Sequence, residues 1–305
     1  MRARPSFLMI LCGLALPNLL AIAATPVEGQ ARFLTLQTLD EQDVPGLAGA
    51  LDVEASADGQ FFYVVGQDAA AVTVFRRDPF SGILTHLQTL QQGSGGVEGL
   101  EQVQNLVLSP DGRYLYTSSL FNGAVAIFER HQVAGTLRFI GTNREFVQQA
   151  AALAMSPDGR HVYAAMVQGG VAAYVRELES GLLTFIQSFA LQETSEAVAV
   201  SPDGRQVLTV SSFRGSLKNY RRDLSTGLLT LIEALVEGEG GVQGLDGPMG
   251  LRFDPLGNGV YVLSSNRAND GGTVSYFVRD VASGLFTLSS MVAGPRSEAG
   301  SLWGA

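Results

Sequence analysis

The sequence predicts an all-β fold built from a repeated four-stranded unit, and two observations lead to this prediction. The pentapeptide SPDGR occurs at residues 109–113, 156–160 and 201–205, so successive copies lie 47 and 45 residues apart. Each copy stands between short runs rich in Val, Ile, Tyr, Phe and Thr, which are the residue types favoured in β-strands. Beyond the N-terminal segment no stretch shows a sustained helical period.

Five repeats of this unit can be aligned along the chain. Their approximate bounds are 49–100, 103–149, 151–195, 196–247 and 248–291. Each repeat contains four strand-like runs, which we name a to d in chain order. Four strands in a unit of about 45–50 residues are typical of a β-propeller blade. We therefore expect a single propeller domain over residues 24–305 with five full blades.

The pentapeptide SPDGR is interpreted as the turn between strands a and b. In the first copy Pro110 presets φ, Asp111 can hydrogen-bond its own backbone, and Gly112 accepts the left-handed conformation that closes the hairpin. The first and fifth repeats keep only part of the motif. A turn tolerates such changes, whereas a cation site would lose its ligands.

An arginine ends strand c in every repeat, and an acid follows it in four of the five. These arginines are Arg77, Arg130, Arg176, Arg222 and Arg279. We interpret the charges as solvent-exposed pairs at the blade edge, each contributing about 0.5 kcal/mol through register and solubility. A functional ring of arginines is the alternative interpretation.

The visible strands do not complete a ring. Residues 32–39 resemble a strand d without the three strands that should precede it, and residues 292–305 resemble only the lead-in to another strand a. Three arrangements remain open: five blades with an extra edge strand, an open arc of a larger ring, or a truncated relative of a longer propeller. We favour the last two. An uncovered terminal blade would permit self-association.

Residues 1–23 are interpreted as a cleaved signal peptide. Arg2 and Arg4 precede the apolar run 7–16, and an Ala-x-Ala sequence ends at Ala23. We therefore expect a periplasmic or secreted bacterial protein with no membrane span after cleavage. Because Cys12 is the only cysteine, the mature chain would form no disulfide. The net charge of −9 argues against nucleic acid as a partner.

The repeats resemble those of the bacterial lactonase-type β-propellers. The resemblance covers about residues 45–290 and rests on the SPDG turns, the Val- and aromatic-rich strand c, and the TGxLT-like segment before strand d. It implies a ring of seven blades and the opening, or the reverse cyclisation, of sugar lactones by polar and charged residues near the central channel. Because these motifs lie in turns and core strands, they assign no catalytic position in this chain.

The face that carries the d–a and b–c connections is expected to hold any site. Its most distinctive segment occurs twice, as GSGGVEGLE at 93–101 and GEGGVQGLD at 238–246. We favour the interpretation that these glycines permit close backbone approach, with a ligand-binding rim as the alternative. The candidate general base and electrophile residues on this face are Glu98, Glu101, Arg214, Asp246 and Arg267.

The residue types offer little support for a metal or cofactor, and no cofactor is expected. The three histidines, His86, His131 and His161, fall in different repeats. Asn269 and Asp270 are candidate Ca²⁺ ligands, although a plain turn is favoured there. The leading hypothesis is a non-catalytic module that binds a small molecule or a protein at this loop face. The alternative is a lactone hydrolase that uses the acids and arginines of the same face.

Overall fold

The computed structural model has five four-stranded antiparallel sheets, which confirms the all-β propeller architecture. It describes residues 37–121, 123–145, 149–168, 170–189, 194–265 and 271–294. In each blade the strands are hydrogen-bonded in chain order, a to d. The signal segment 1–23, Arg267, Asn269 and Asp270 lie outside the described residues. Within the described ranges, no helix has the length and apolar character needed to cross a membrane.

Along the described part of the chain, a short 3-10 helix, Pro45–Leu47, precedes twenty strands. Blade 1 contains β1 (Ala50–Ala55), β2 (Phe61–Gly66), β3 (Ala71–Arg77) and β4 (Leu84–Gln91). Blade 2 contains β5 (Val103–Leu108), β6 (Tyr114–Ser119), β7 (Val125–Arg130) and β8 (Leu137–Asn143). Blade 3 contains β9 (Ala150–Met155), β10 (His161–Met166), β11 (Gly170–Arg176) and β12 (Leu183–Phe189).

The last two blades follow the same plan. Blade 4 contains β13 (Ala197–Val200), β14 (Gln206–Ser211), β15 (Ser216–Arg222) and β16 (Leu229–Val236). Blade 5 contains β17 (Pro248–Phe253), β18 (Gly259–Ser264), β19 (Thr273–Arg279) and β20 (Phe286–Ala293). Because neighbouring strands are antiparallel, the a–b and c–d turns share one end of the blade, the turn face. The b–c and d–a connections share the other end, the loop face.

The first strands of successive blades lie side by side around a common axis. β1 contacts β5, β5 contacts β9, β9 contacts β13, and β13 contacts β17. These strands therefore line the central channel, and the fourth strands are outermost. Charged side chains on β1, β5, β9, β13 or β17 are consequently the groups nearest to the channel.

The hydrophobic core lies between the blades. Strands β2, β6, β10 and β14 are buried at every residue, because a neighbouring blade or segment covers each face. Between blades 1 and 2, Tyr63 and Val74 on one face pack in the same cluster as Leu115 and Phe128 on the other. Burial on both faces explains why these strands show no alternation of buried and exposed residues, and why polar side chains such as Thr117 of β6 and Gln206 of β14 are buried with the apolar ones.

The turn interpretation of SPDGR is confirmed. The Gly112 N–H donates to the Ser109 carbonyl at 2.8 Å, and Gly112 has φ of +66°. The Asp111 carboxylate accepts from the Ser109 hydroxyl at 2.5 Å and from the Arg113 N–H at 3.1 Å. The short side chain of Asp111 thus fixes the turn in the way that its position in the motif predicts.

The interpretation of the strand-c arginines as exposed charge pairs is wrong for blades 2 to 5, in which the arginine is buried. Arg222 is 3% exposed and donates to the Tyr163 hydroxyl (2.9 Å), the Gly204 carbonyl (3.0 Å) and the Asp158 carboxylate (2.8 Å). Tyr163 and Asp158 belong to the preceding blade. The corresponding partners of Arg176 are Tyr116, Gly159 and Asp111. The arginine therefore joins two blades, and its acid is the aspartate of the preceding SPDG turn.

The two terminal blades differ in what covers their outer faces. On blade 1, Phe62 and Val64 are buried together with Val44, which precedes β1. On blade 5, the face directed away from blade 4 has three half-exposed apolar side chains: Tyr261 (48%), Leu263 (46%) and Val274 (47%). Blade 5 therefore ends the arc, and the ring does not close among the described residues.

Candidate functional site

Two carboxyl groups lie on the innermost strand of blade 1. Asp52 and Glu54 are two residues apart in β1, so both point to the same side of the sheet. That side faces blade 2, because the Asp52 carboxylate accepts from the Asn105 side-chain amide (2.6 Å) and the Leu106 N–H (3.1 Å) in β5. Two acidic side chains are thereby half-buried beside the channel.

Asp52 has a structural role that a residue of blade 2 shares. Asn105 occupies the same ladder position in its blade, and its side-chain oxygen accepts the Leu153 N–H of blade 3 at 2.8 Å. Both side chains thus link one inner strand to the next. Because Asp52 also accepts the Val53 N–H at 2.9 Å, its carboxylate is held in place by three hydrogen bonds.

Glu54 differs from Asp52 because no described residue donates a hydrogen bond to its carboxylate. Burial raises the pKa of Glu54 to about 7, the charge of Asp52 adds to this effect, and Arg252 opposes it. Burial also raises the pKa of Asp52, against the hydrogen bonds it accepts and the charge of Arg252. A carboxyl group with a pKa near 7 can exchange a proton at neutral pH, as a general base must.

Arg252 supplies positive charge to the same region. Arg252 lies in β17 at the position that corresponds to Glu54 in β1. Arg252 pairs with Tyr261 and Glu54 pairs with Tyr63, and each tyrosine is the third residue of its strand. The Arg252 side chain is exposed, and its charge acts on both Asp52 and Glu54. β1 and β17 are the first and last inner strands of the arc. We call Asp52, Glu54 and Arg252 the channel cluster.

The candidates on the loop face lie in the connections between strands. Glu98 forms an ion pair with Arg144 (3.3 Å) in which both side chains are at least half exposed. Glu101 accepts from the Gln92 side-chain amide at 3.2 Å. The other described candidates are Arg214, in the turn from β14 to β15, and Asp246, between β16 and β17. Catalytic roles for these residues stay predictions.

The two glycine-rich segments fold alike, and one glycine in each meets a steric need. Gly99 and Gly244 have φ of +83° and +86°. A Cβ atom would lie 2.8 Å from Thr142 at the first position and 2.1 Å from Ser275 at the second. The expectation that glycine permits close backbone approach is therefore confirmed at these two positions. At the other glycines of the two segments a Cβ atom would meet nothing within 4 Å, and a positive φ is what favours glycine there. A ligand-binding rim stays a proposal.

Polar groups elsewhere in the described ranges give no metal-binding cluster, and the cations of one arginine-lined depression have partners within the protein. In the part of the chain that the structure describes, no group of three or more His, Cys, Asp or Glu residues could hold a metal ion. A surface depression of about 590 Å³ on the turn face of blade 2 is lined by three arginines. Each of these arginine side chains has a partner within the protein: Arg138 pairs with Glu129, Arg113 pairs with Glu179, and Arg130 donates a hydrogen bond to the Tyr63 hydroxyl.

Sequence reasoning missed the channel cluster because it placed the site in the loops. A signal was nevertheless present in β1. The positions that correspond to Asp52 and Glu54 are alanine in blades 3 and 4: Ala152, Ala154, Ala197 and Ala199. Two acids at small-residue positions of an inner strand depart from the repeat. Such a departure at a buried position indicates a specific role, because unpaired buried charge is costly.

The fold resembles those of solved structures with low sequence identity. A periplasmic gluconolactonase from Pseudomonas aeruginosa shares 22% identity over 80% of this chain and 73% of that one, with a TM-score of 0.60. A Lactobacillus plantarum protein shares 20% identity over 81% and 72% of the chains, with a TM-score of 0.67. Hydrazine synthase from Kuenenia stuttgartiensis shares 16% identity over 84% and 69%, with a TM-score of 0.58. Similarity at this level concerns the fold alone.

Family membership rests on the sequence match. No curated protein sequence matches the chain. A family model described as "Lactonase, 7-bladed beta-propeller" matches residues 28–196 and 141–244, which together make up more than half of the chain. The match includes the repeats whose SPDG turns and inter-blade arginines are described above. The chain therefore belongs to the lactonase family of seven-bladed β-propellers.

Proposed function

We propose that this protein hydrolyses a lactone at the channel cluster, with Glu54 as the general base. The observation that carries the proposal is a half-buried carboxyl group whose pKa is raised to about 7, within reach of the charge of Arg252. Family membership supports the reaction class. The similar structures include both a gluconolactonase and a hydrazine synthase, so the fold alone does not select a reaction.

The proposed reaction uses one base and one cation. The Glu54 carboxylate takes a proton from water while the water oxygen adds to the lactone carbonyl carbon. The carbonyl oxygen becomes an oxyanion, which the Arg252 guanidinium stabilises by charge. The ring C–O bond then breaks, and the alkoxide takes the proton back from Glu54. The product is the open-chain hydroxy acid, and Glu54 is a carboxylate again.

Asp52 acts in this scheme by positioning and by charge. Its hydrogen bonds to blade 2 hold β1 in place, and its negative charge contributes to the raised pKa of Glu54. The base must be deprotonated to act, so kcat/KM should rise with pH through about 7 and then level off. An Asp52→Asn variant should shift this rise to lower pH, because the charge that disfavours ionisation of Glu54 is removed.

The test is hydrolysis of a panel of five- and six-membered sugar lactones by the purified protein, measured as acid release above the spontaneous rate. Glu54→Gln should lower kcat/KM by about 100-fold or more. The matched control, Glu98→Gln, alters an exposed acid of the loop face and should retain activity. Loss of activity in Glu101→Gln, with Glu54→Gln unaffected, would move the base to the loop face. Failure of the unaltered protein to open any lactone would refute the proposal.

Non-catalytic binding at the loop face is the second candidate function. Phe121 and Phe213 occupy corresponding b–c turns of blades 2 and 4, and they are 71% and 72% exposed. Exposed aromatic side chains in corresponding turns are typical of a contact surface. Titration calorimetry with sugar acids distinguishes the two functions. Binding that survives Glu54→Gln but is lost in a Phe121→Ser, Phe213→Ser double variant would favour a binding module.

We also infer export, because residues 1–23 have the layout of a signal peptide. One similar structure is that of a protein described as periplasmic. Expression of the full chain in a bacterial host, followed by fractionation and N-terminal sequencing, tests this inference. The expected product is periplasmic or secreted and begins at Ala24. An intact N-terminus on cytoplasmic protein would contradict it.

A further inference from the structure

We propose that the junction between blades 3 and 4 is a pH-sensitive contact, which loosens when the His161 side chain takes up a proton. His161 begins strand β10 and is 2% exposed. Histidine is the side chain that most often changes charge near neutral pH, and the proposed reaction does not use this one. The residues at the same position in the other blades carry the comparison on which the proposal rests.

The first residue of strand b lies beneath the strand-c arginine of the next blade. Arg130 lies over the Phe61 ring, 5.2 Å from its centroid, and Arg176 lies over the Tyr114 ring at 5.0 Å. The corresponding residue of blade 4 is Gln206. Phenylalanine, tyrosine and glutamine side chains do not change charge between about pH 5 and 8. Among the four junctions that the structure describes, the one between blades 3 and 4 therefore differs in having histidine at this position.

The His161 ring binds two parts of blade 4. Arg222 Nη2 lies 2.6 Å from His161 Nδ1, and both side chains are buried. Because a guanidinium can donate but cannot accept, Nδ1 has to be the unprotonated nitrogen of a neutral ring. The ring also hydrogen-bonds the main chain at Thr226, in the c–d turn of the same blade. The neutral form of His161 thus holds both strand c and the c–d turn of blade 4.

Protonation would make the contact with Arg222 repulsive. An imidazolium has an N–H on both nitrogens, so the Nδ1–H would face an Arg222 N–H with no acceptor between them. Two positive charges would also lie side by side in a buried junction. One of the two side chains must then move. Arg222 also donates to the Tyr163 hydroxyl and the Gly204 carbonyl, so its movement would break further bonds of the junction.

The other charged groups around the ring do not remove this conflict. Asp158 favours protonation of His161, but its carboxylate already accepts from Arg222 Nη2 at 2.8 Å. Arg160 adds positive charge. Asp223, in the c–d turn of blade 4, is exposed and accepts hydrogen bonds from its own turn. Burial and the charge of Arg222 consequently lower the pKa of His161 below its usual value of 6.5, against the charge of Asp158.

The junction should therefore weaken as the pH falls through the range in which histidine titrates. In the unfolded chain His161 takes up a proton at its usual pKa of 6.5, whereas in the folded protein it does so at lower pH. The stabilisation by the neutral ring is thus complete well above pH 6.5 and is lost below it. At pH 5.5 about ten of eleven unfolded chains carry this proton. The folding equilibrium constant should then be up to about tenfold smaller than at pH 7.5.

Loosening of this junction would also affect the channel cluster. Glu54 lies in blade 1 and Arg252 in blade 5, so the junction stands between the blades that carry these two charges. A weaker junction would let the charges move apart in acid. This consequence rests on the proposed function, whereas the pH sensitivity of the junction does not, and the test below measures the junction without any assay of activity.

The test compares the unaltered protein with His161→Phe and His161→Gln, since blades 1 and 4 have phenylalanine and glutamine at this position. Between pH 7.5 and 5.5, urea unfolding should show a five- to tenfold larger fall of the folding equilibrium constant in the unaltered protein than in either variant. The matched control is His86→Phe, which removes an exposed histidine of β4 and should keep the pH dependence of the unaltered protein. If His161→Phe does not fold, His161→Gln decides the comparison, because it keeps an acceptor for Arg222.

Hydrogen exchange locates the effect. After correction for the intrinsic pH dependence of exchange, protection in β10 and β15 should fall several-fold more than protection in β2 and β7, which carry Phe61 and Arg130. Equal loss in all four strands would overturn the proposal, as would an identical pH dependence of unfolding in the unaltered protein and the His161 variants. Nitrogen-15 spectra of the three histidine rings give an independent check. A proton on Nδ1 of His161 at pH 7.5 would also refute the proposal, because Arg222 could not then donate to it.

Discussion

The junction between blades 3 and 4 and the junction between blades 4 and 5 solve one packing problem in two ways. In the first, the Tyr163 hydroxyl stands between Arg222 and the Gly227 carbonyl, with 2.9 Å to each. In the second, Leu208 takes the position of the tyrosine, and Arg279 Nε has no hydrogen-bond partner in the described chain. One hydroxyl is lost, so two polar groups require other partners.

At the junction between blades 4 and 5, amide side chains replace the tyrosine hydroxyl as partner of the Gly284 carbonyl but not of Arg279 Nε. The Gly284 carbonyl accepts from Gln206 (2.5 Å) and from Asn219 (2.8 Å). Arg279 keeps an ion pair with Asp203 at 2.9 Å, as Arg222 does with Asp158. The pairing of the strand-c arginine with the preceding turn is therefore common to both junctions. The hydroxyl is a separate contribution that one junction lacks.

The largest expected effect comes from removing the arginine at each junction. Arg222→Met should lower the free energy of unfolding by about 3 kcal/mol, because it strips hydrogen bonds from a buried hydroxyl, a carbonyl and Asp158. Arg279→Met should cost about 1–2 kcal/mol, since Arg279 already lacks one of these bonds. Urea unfolding of both variants measures the difference. Equal costs would show that the two junctions are energetically alike.

Arg221→Met is the matched control for this pair. Arg221 precedes Arg222 in β15 but its side chain is exposed. Its replacement should change the free energy of unfolding by less than about 0.5 kcal/mol. A larger change would indicate that methionine perturbs the strand itself.

A smaller effect is expected from the hydroxyl alone. Tyr163→Phe leaves Arg222 Nε and the Gly227 carbonyl without their partner, and it should cost about 1–2 kcal/mol. Tyr261→Phe makes the same change on the half-exposed face of blade 5 that is directed away from blade 4, where water replaces the partners, and it should cost less than about 0.5 kcal/mol. Thermal unfolding of both variants is the measurement. A cost for Tyr261→Phe equal to that of Tyr163→Phe would contradict the exposed position of Tyr261.

The blades were predictable from the sequence because each is a local structure. Strand types, the SPDG turn and the position of Gly112 depend on neighbouring residues, and all three follow from short patterns. The partner of each arginine was not predictable in this way. Asp158 lies 64 residues before Arg222, and adjacency in sequence suggested the wrong acid. Only the packing of one blade on the next brings the two side chains together.

The candidate site shows the same limit more strongly. Glu54 and Arg252 stand in the first and fifth blades, and the circular arrangement of the inner strands alone brings their charges within reach. The loop-face candidates were chosen by their position in connections, where function is common in propellers. Strand β1 carried a signal in Asp52 and Glu54, which stand where repeats 3 and 4 have alanine. Comparison of the repeats position by position would have detected it.

The smallest expected effect is an acid sensitivity that the two junctions share. Burial by itself would raise the pKa of Asp158, but hydrogen bonds from Ser156 and Arg222 outweigh it and lower the pKa to about 2. The folded-state pKa lies below the usual value of 3.8, so the stabilisation is complete above pH 4 and is lost as pH falls towards 2. Because the side chain is 36% exposed, solvent screening limits the contribution to about 1 kcal/mol.

Asp158→Asn should therefore be less stable than the unaltered protein by about 1 kcal/mol at pH 6, and the gap should narrow between pH 4 and pH 2. Asp203→Asn should show the same direction, because hydrogen bonds from Ser201 and Arg279 outweigh burial and lower the pKa of Asp203. Urea unfolding at pH 6, 4 and 3 gives both curves. If the stability difference between variant and unaltered protein stays constant down to pH 3, the aspartate acts through the geometry of the turn. A protonated aspartate loses its charge pairing with the arginine but keeps the shape of the turn. A stability difference that narrows at both junctions would show that the ion pair between the strand-c arginine and the aspartate of the preceding turn is the contribution common to both.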